Sequence, residues 1–419
     1  MGQIAFTNSH DLMGGLAASM NAISPVVEGH HEQVAYLSYH IARELDLSAD
    51  ERNLCVLAAL LHDVGAVFAE VPQTTLDFEK NAVQLARIGG NLLRGLETFG
   101  DVGQVIRYSQ HPWDPAYLPL DVSQSILVCS AVVHLADHVS ICLHEDETAL
   151  DQAARIAQMV KARRGKEFCP SVVDAFLRVA DRPFVWMDLI YHPTSLIAFV
   201  GEPRPVSLED TVRMTRLMSR LIDFRSPFTA MHSAGVRASA VRLAELMGMS
   251  EEECTMMGIA GDLHDIGKIR VPHEILEKPG KLTDAEFNVI QEHAYYTFQI
   301  LWPIQGFGQI CQWASFHHEK LNGRGYPFRL SGRQIPLGAR IMAVADIFSA
   351  VSEERPYRKG MERDAVEHVM RESVERGETS EPVTRMLLEH FDDVNAARDQ
   401  ASHEAGGRYF AALERTRHA

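Results

Sequence analysis

Two stretches of this chain repeat one another in register, and the repeat includes polar residues that no helix requires. Residues 30–65 read HHEQVAYLSYHIARELDLSADERNLCVLAALLHDVG, and residues 232–267 read HSAGVRASAVRLAELMGMSEEECTMMGIAGDLHDIG. His30 precedes His62 by 32 positions, and His232 precedes His264 by the same 32. Further on, VVHLADHVS around Asp137 echoes IMAVADIFS around Asp346. Duplication of one structural unit accounts for this pattern. The join is expected between Trp186 and Leu208, where Pro193, Gly201, Pro203 and Pro205 interrupt the helical pattern.

Within each copy the apolar residues step at helical intervals, as at Val34, Leu37, Ile41 and Leu45 and at Val236, Ala240, Leu243 and Met247. Ser48 and Ser250 each precede an acidic and then an apolar stretch, a helix-start signal. Strand-like alternation is scarce. The expected fold is all-α, two tandem helical bundles over residues 1–200 and 201–400, followed by a charged tail over 401–419 that is either a docking helix or a frayed end.

Charge and cysteine usage narrow the function. The net charge of -16 opposes a polymeric nucleic-acid partner, because phosphate backbones reward clustered Lys and Arg. The six scattered cysteines read as free thiols, and neither a signal peptide nor a membrane-spanning run is recognisable, so a cytoplasmic location without a membrane partner is expected.

The second copy holds seven potential metal ligands in order: His232, His264, Asp265, His293, His317, His318 and Asp346. Imidazole and carboxylate at this density suit borderline divalent metals. Neighbouring helical side chains diverge by about 100°, so the His264-Asp265 pair serves two metals if Asp265 bridges. His232, His264 and Asp346 then surround one ion, and His293, His317 and His318 the other. Any one of these histidines alone is an ordinary surface or core residue; the set is not. Asp346 follows the apolar run IMAVA, where an unpaired carboxylate is costly.

HDIGK at 264–268, HHEKLNGRGYP at 317–327, ARIMAVADIFSAV at 339–351 and RPYR at 355–358 resemble the HD-GYP family, a branch of the HD phosphohydrolases, and the match is continuous from about Ser226 to Arg358. The resemblance implies HD-type helical bundles, the same ligand roles, two or three metals (iron or manganese, with nickel or zinc open), and hydrolysis of a cyclic dinucleotide. Some family members carry a Glu four residues before the first His. Here Phe228 stands there, so two divalent ions are expected, with His273 the residual candidate for a third. The reading that follows is opening of cyclic di-GMP to pGpG, with continuation to GMP open, by a metal-bridging hydroxide. The alternatives are 3′,3′-cyclic GMP-AMP as substrate, or a non-catalytic sensor or scaffold. Asp265 and Lys268 are the catalytic candidates; Tyr326, Gly325, Lys268, Arg355 and Arg358 are the substrate-binding ones. The competing readings are a packed Tyr326, a solvated Lys268 and surface ion pairs for the two arginines.

The first copy keeps His30, His62, Asp63 and Asp137, with His31 beside them, and has lost the rest. Leu85 stands for His293, Gln110-His111 for the His-His pair and Ala66 for Lys268, and no GYP turn follows. It resembles a degenerate HD domain with one metal at most, for which a regulatory or homodimer-forming role is expected.

Overall fold

A computed structural model of the chain describes residues 6–23, 29–65, 75–94, 100–113, 121–144, 146–192, 196–197, 200, 203, 205–223, 227–278, 280–353 and 360–417. It divides into two compact units, residues 1–15 with 205–411 and residues 16–204 with 412–419. Both are built from helices; among the described residues the only sheet is Thr7–Asn8 paired antiparallel with Pro205–Val206.

Two boundaries differ from those expected. The first residues belong with the later unit, because Thr7 lies opposite Val206 in that strand pair. The tail is not separate either: Phe391–Arg417 is one helix, and Ser402 Oγ donates to the Met231 carbonyl at 2.9 Å on the helix that carries His232. Val394 and Ala405 bury the apolar side of the same helix.

The helix starts follow from local chemistry. Ser48 accepts from the Glu51 amide while Glu51 reaches back to the Ser48 amide, and Ser250 with Glu253 and Thr283 with Glu286 do the same. Each reciprocal pair satisfies two donors that a helix terminus would otherwise leave unbonded. In both repeats the capped helix (Ala49–Leu61, Glu251–Leu263) therefore ends directly before the His-Asp pair.

In the later unit, helices Pro227–Leu246, Glu251–Leu263 and Leu337–Ser352 pack through Val236, Ala240, Leu243, Met257, Ala260, Leu263, Ile341 and Val344, all fully buried. This apolar side fixes the helices from which the polar ligand residues project. In the first unit the helix Gln124–Ile141 is long and apolar enough by composition to cross a membrane, although no such run was recognised in the sequence. About two-thirds of it is buried, as expected of a core helix.

Candidate metal centre

All seven ligand candidates of the later unit converge. The helix Pro227–Leu246 presents His232, and Glu251–Leu263 ends on His264 and Asp265. His293 comes from Asp284–Leu301, His317 and His318 follow Gly308–Ser315, and Asp346 sits within Leu337–Ser352. Three sets of ligand atoms, each within 4.8 Å of one another, are His232/His264/Asp346, His264/Asp265/His317 and His293/His317/His318. They overlap at His264 and His317, so the site is continuous.

Backbone carbonyls set the imidazole tautomers. Nδ1 of His264, His293 and His317 lies 2.8, 2.6 and 2.6 Å from the carbonyl oxygens of Gly261, Ile290 and Ala314, each three residues earlier. A carbonyl only accepts, so Nδ1 carries the proton and Nε2 presents a lone pair inward. Nε2 of His293 and His317 then face each other at 3.4 Å, and Asp265 Oδ1 is 3.3 Å from His293 Nε2. Asp265 Oδ2 is 3.3 Å from His264 Nε2 and 2.6 Å from Lys268 Nζ. Buried His264 Nε2 and Asp265 Oδ1 make no hydrogen bond. Converging lone pairs and orphaned acceptors repel one another until a cation sits among them, and an imidazole–carboxylate donor set suits a transition metal. The residues therefore fit the metal expected from the motif.

Electrostatics agree. Burial acts to raise the Asp265 carboxyl, but His264, Lys268 and His293 hold it well below the usual carboxylate range. Asp346 is also held low against burial, by His232 and His318. Burial pushes His293 down to about 3 and His318 to about 4, and lowers His317 far as well, so these three are neutral ligand-form imidazoles.

Lys268 and Tyr326 flank the cluster. Lys268 lies on the 3-10 turn Ile266–Arg270. The Tyr326 ring lies over His318, centroids 4.8 Å apart, and burial raises its hydroxyl pKa, so it is a neutral donor. Gly325 is required by close approach, since a Cβ there would lie 2.4 Å from the Lys320 amide nitrogen and 2.6 Å from the His318 carbonyl oxygen. His273 is exposed at the start of His273–Leu276 and joins none of the ligand groups found among the described residues, which removes it as a third-metal candidate. Arg355 and Arg358 lie outside the described residues.

Two buried carboxylates at the site escaped the sequence reading. Glu353 Oε2 is 3.0 Å from His232 Nδ1, while His232 Nε2 is 3.1 Å from Asp346 Oδ1. Burial alone would lower His232, but Glu353 and Asp346 push it up to about 10. Glu353 follows Asp346 by seven positions, two helical turns, and that spacing was the available signal. Glu319 accepts from the Phe328 amide at 2.6 Å and the Leu330 amide at 2.8 Å, pinning the glycine-rich turn beneath the His-His pair. Carboxylates that orient ligating imidazoles typically matter about 10–100-fold in metal affinity or activity. Glu353→Ala is accordingly expected to weaken metal binding by about that factor, with Glu353→Gln recovering part of the loss. Metal titration of both variants checks this, and unchanged affinity in the alanine variant would reduce Glu353 to a packing residue.

The first unit assembles its reduced set. Asp137 Oδ1 is 3.2 Å from His30 Nε2 and 3.4 Å from His62 Nε2, and Asp63 Oδ2 lies 3.4 Å from His62 and 3.5 Å from His31. Gln110 Nε2 donates to Asp137 Oδ2 at 2.7 Å, occupying an oxygen whose counterpart in the later unit faces His318. The assignment of Leu85 to the place of His293 follows from the backbone. A Cβ on Gly65 would meet the Leu85 carbonyl oxygen at 2.0 Å, as one on Gly267 would meet that of His293 at 2.0 Å.

Comparison with known proteins fits this arrangement. HD domain family models match residues 216–376 and 27–182. The chain is 32% identical over 316 residues to 3'3'-cGAMP-specific phosphodiesterase 3 of Vibrio cholerae, covering 72% of this chain and 67% of that protein. The chain belongs to the HD-GYP family. As an HD-GYP protein it is an enzyme, a metal-dependent phosphodiesterase. Over 386 residues it is 28% identical to 3'3'-cGAMP-specific phosphodiesterase 1 of the same organism, covering 89% of each chain. The cyclic di-GMP phosphodiesterase response regulator RpfG of Xanthomonas campestris is 41% identical over 150 residues, 35% of this chain and 40% of that one. A solved cyclic GMP-AMP phosphodiesterase of V. cholerae, V-cGAP3, shares the fold with a TM-score of 0.59 at 24% identity, covering 93% of this chain and 98% of that one.

Proposed function

We propose that this HD-GYP enzyme hydrolyses 3′,3′-cyclic GMP-AMP in preference to cyclic di-GMP. The observation that carries the preference is the extent of similarity. The relatives named for cyclic GMP-AMP match across 89% and 72% of this chain, including the reduced first unit, whereas the cyclic di-GMP relative RpfG matches 35%. Cyclic di-GMP, the first reading of the motifs, becomes the second reading; it rests on the ligand set and the GYP turn of this chain, which do not record the choice of base.

His232, His264 and Asp346 would hold one divalent ion, His293, His317 and His318 a second, and Asp265 would face both with its two oxygens. Iron or manganese is the proposed occupant. When bound, such ions supply Lewis acidity toward a phosphoryl oxygen and acidify water. The chain's own groups then account for the rest. Lys268, fixed by Asp265, sets a cation beside the cluster where phosphoryl charge grows. Tyr326, neutral and close against His318, offers a hydroxyl to phosphate or ribose at the rim. Glu319 and Gly325 keep that turn against the His-His pair, so Tyr326 is positioned before the substrate arrives. In the reaction, water oxygen bonds to phosphorus, the bond to a ribose 3′ oxygen breaks, and that oxygen leaves protonated in a linear dinucleotide.

Incubating the metal-loaded full chain in parallel with the two cyclic dinucleotides tests the reading. Linear product is expected to form at least about tenfold faster from cyclic GMP-AMP, a discrimination of only about 1.4 kcal/mol. Faster opening of cyclic di-GMP would reverse the order. No product from either would return the chain to the sensor or scaffold reading.

A further inference from the structure

We propose that His134, His138 and Glu167 of the first unit form a separate site for one divalent ion of the zinc type. The site is independent of the catalytic reading. His134 and His138 lie four residues apart on the helix Gln124–Ile141, and therefore on one face. The corresponding positions of the second repeat are Ala343 and Ile347, so neither histidine belongs to the shared HD pattern. Asp137, between them, points elsewhere, its oxygens engaged with His30, His62 and Gln110.

Both imidazoles are oriented as ligands. His134 Nδ1 donates to the Ser109 carbonyl at 2.7 Å, and His138 Nδ1 to the His134 carbonyl at 3.0 Å. Each Nε2 is left as a lone-pair acceptor, the arrangement seen at His264, His293 and His317 in the later unit. His134 is 4% exposed and its Nε2 has no hydrogen-bond partner. His138 Nε2 stands 3.3 Å from Glu167 Oε1, acceptor against acceptor when the ring is neutral. One ligand atom from each of the three residues lies within 4.8 Å of the others. A cation among them relieves the orphaned Nε2 and the facing acceptors together; a proton on His138 would relieve only the second.

The surroundings are built to hold that geometry. The Glu167 carbonyl accepts from the Trp113 amide at 2.8 Å, and Arg163 Nη1 reaches the Glu167 carboxylate at 3.1 Å. Buried Phe168 closes one side, its ring 5.5 Å from each imidazole. His138 and Glu167 keep 27% and 29% of their side chains exposed, so one face is open to water and to metal exchange. Two imidazoles and one carboxylate with an open fourth position match zinc-type coordination and disfavour oxygen-seeking magnesium or calcium. Occupancy would tie the core helix carrying Asp137 to the turn before the helix Pro170–Ala180.

The test uses the full chain stripped with chelator, reloaded with zinc alone, and counted by elemental analysis after gel filtration. His138→Gln and Glu167→Gln are both partly exposed substitutions of similar size, and their folding is checked by circular dichroism. Each variant is expected to hold one zinc fewer per chain than the unaltered protein, while turnover of cyclic dinucleotide by the metal-loaded catalytic unit stays within twofold. Equal zinc counts in all three proteins overturn the site and leave His138 and Glu167 as an ion pair. A lower count accompanied by loss of turnover overturns its separateness.

Discussion

Changing His264 and Asp265 together to alanine is expected to lower turnover by about 10³-fold or more while the helical circular-dichroism signal persists. The two oxygens of Asp265 face both halves of the cluster at short range, Oδ2 at 3.3 Å from His264 and Oδ1 at 3.3 Å from His293. Asp265 is also the anchor of Lys268, at 2.6 Å. The double change therefore removes a ligand to each proposed ion and frees the nearby cation. Metal-ion stabilisation of a phosphoryl transition state is worth several kcal/mol, and each ~1.36 kcal/mol is a decade in rate, which sets the expected size. The fold has reason to persist, because the helix ending at His264 is held by its Ser250–Glu253 cap and by fully buried Met257, Ala260 and Leu263. Asp265→Asn separates charge from packing: the amide fills the same space without a negative charge, and a loss nearly as large is expected. Elemental analysis and product formation measured side by side provide the check. Turnover near the unaltered rate would place the chemistry away from this cluster.

Why the cluster could be read from sequence and other features could not is a matter of which residues are rare in their setting. His264-Asp265 at the end of an apolar helix, or Asp346 after IMAVA, stands out because core helices seldom carry such groups. The capping serines stand out for a similar reason, as Ser48 and Ser250 precede matching acidic residues. Glu319 carries no such signal, and Glu353 carries only its two-turn spacing from Asp346. Glutamate is ordinary on a helical surface, and only the fold shows that these two are buried against His232 and the glycine-rich turn. The same holds at the chain ends. A two-residue strand such as Thr7–Asn8 has no periodicity to read, and the last helix looks like a charged tail because few of its residues, Val394 and Ala405 among them, are buried. His134 and His138 were visible as letters in the repeat, but their meaning depended on Glu167, which only the fold brings near.

Gly267→Ala should reduce turnover by about 10²-fold, although the residue has no side chain to offer as a ligand. A Cβ at this position would lie 2.0 Å from the His293 carbonyl oxygen and 2.7 Å from the Thr297 amide nitrogen. Both are backbone atoms of the helix Asp284–Leu301, so no side-chain rotation relieves the clash and the helix must move by on the order of 1 Å, a displacement that at a reacting centre costs about this factor. That helix carries His293. The seam is tied by Thr297 Oγ1, which accepts from the Gly267 amide and donates to the His264 carbonyl, both at 3.0 Å, so displacement reaches His264 as well. Overpacking of this kind also costs about 1–3 kcal/mol of stability, readable as a lowered Tm. Gly65→Ala supplies the matched comparison, because its Cβ would meet the Leu85 carbonyl oxygen at the same 2.0 Å in the first unit. Comparable destabilisation is expected there, with turnover little changed, since Leu85 holds nothing that a phosphate ester needs. If Gly65→Ala abolished turnover as fully as Gly267→Ala, the reduced first unit would have to act directly in catalysis, and its missing histidines would need another explanation.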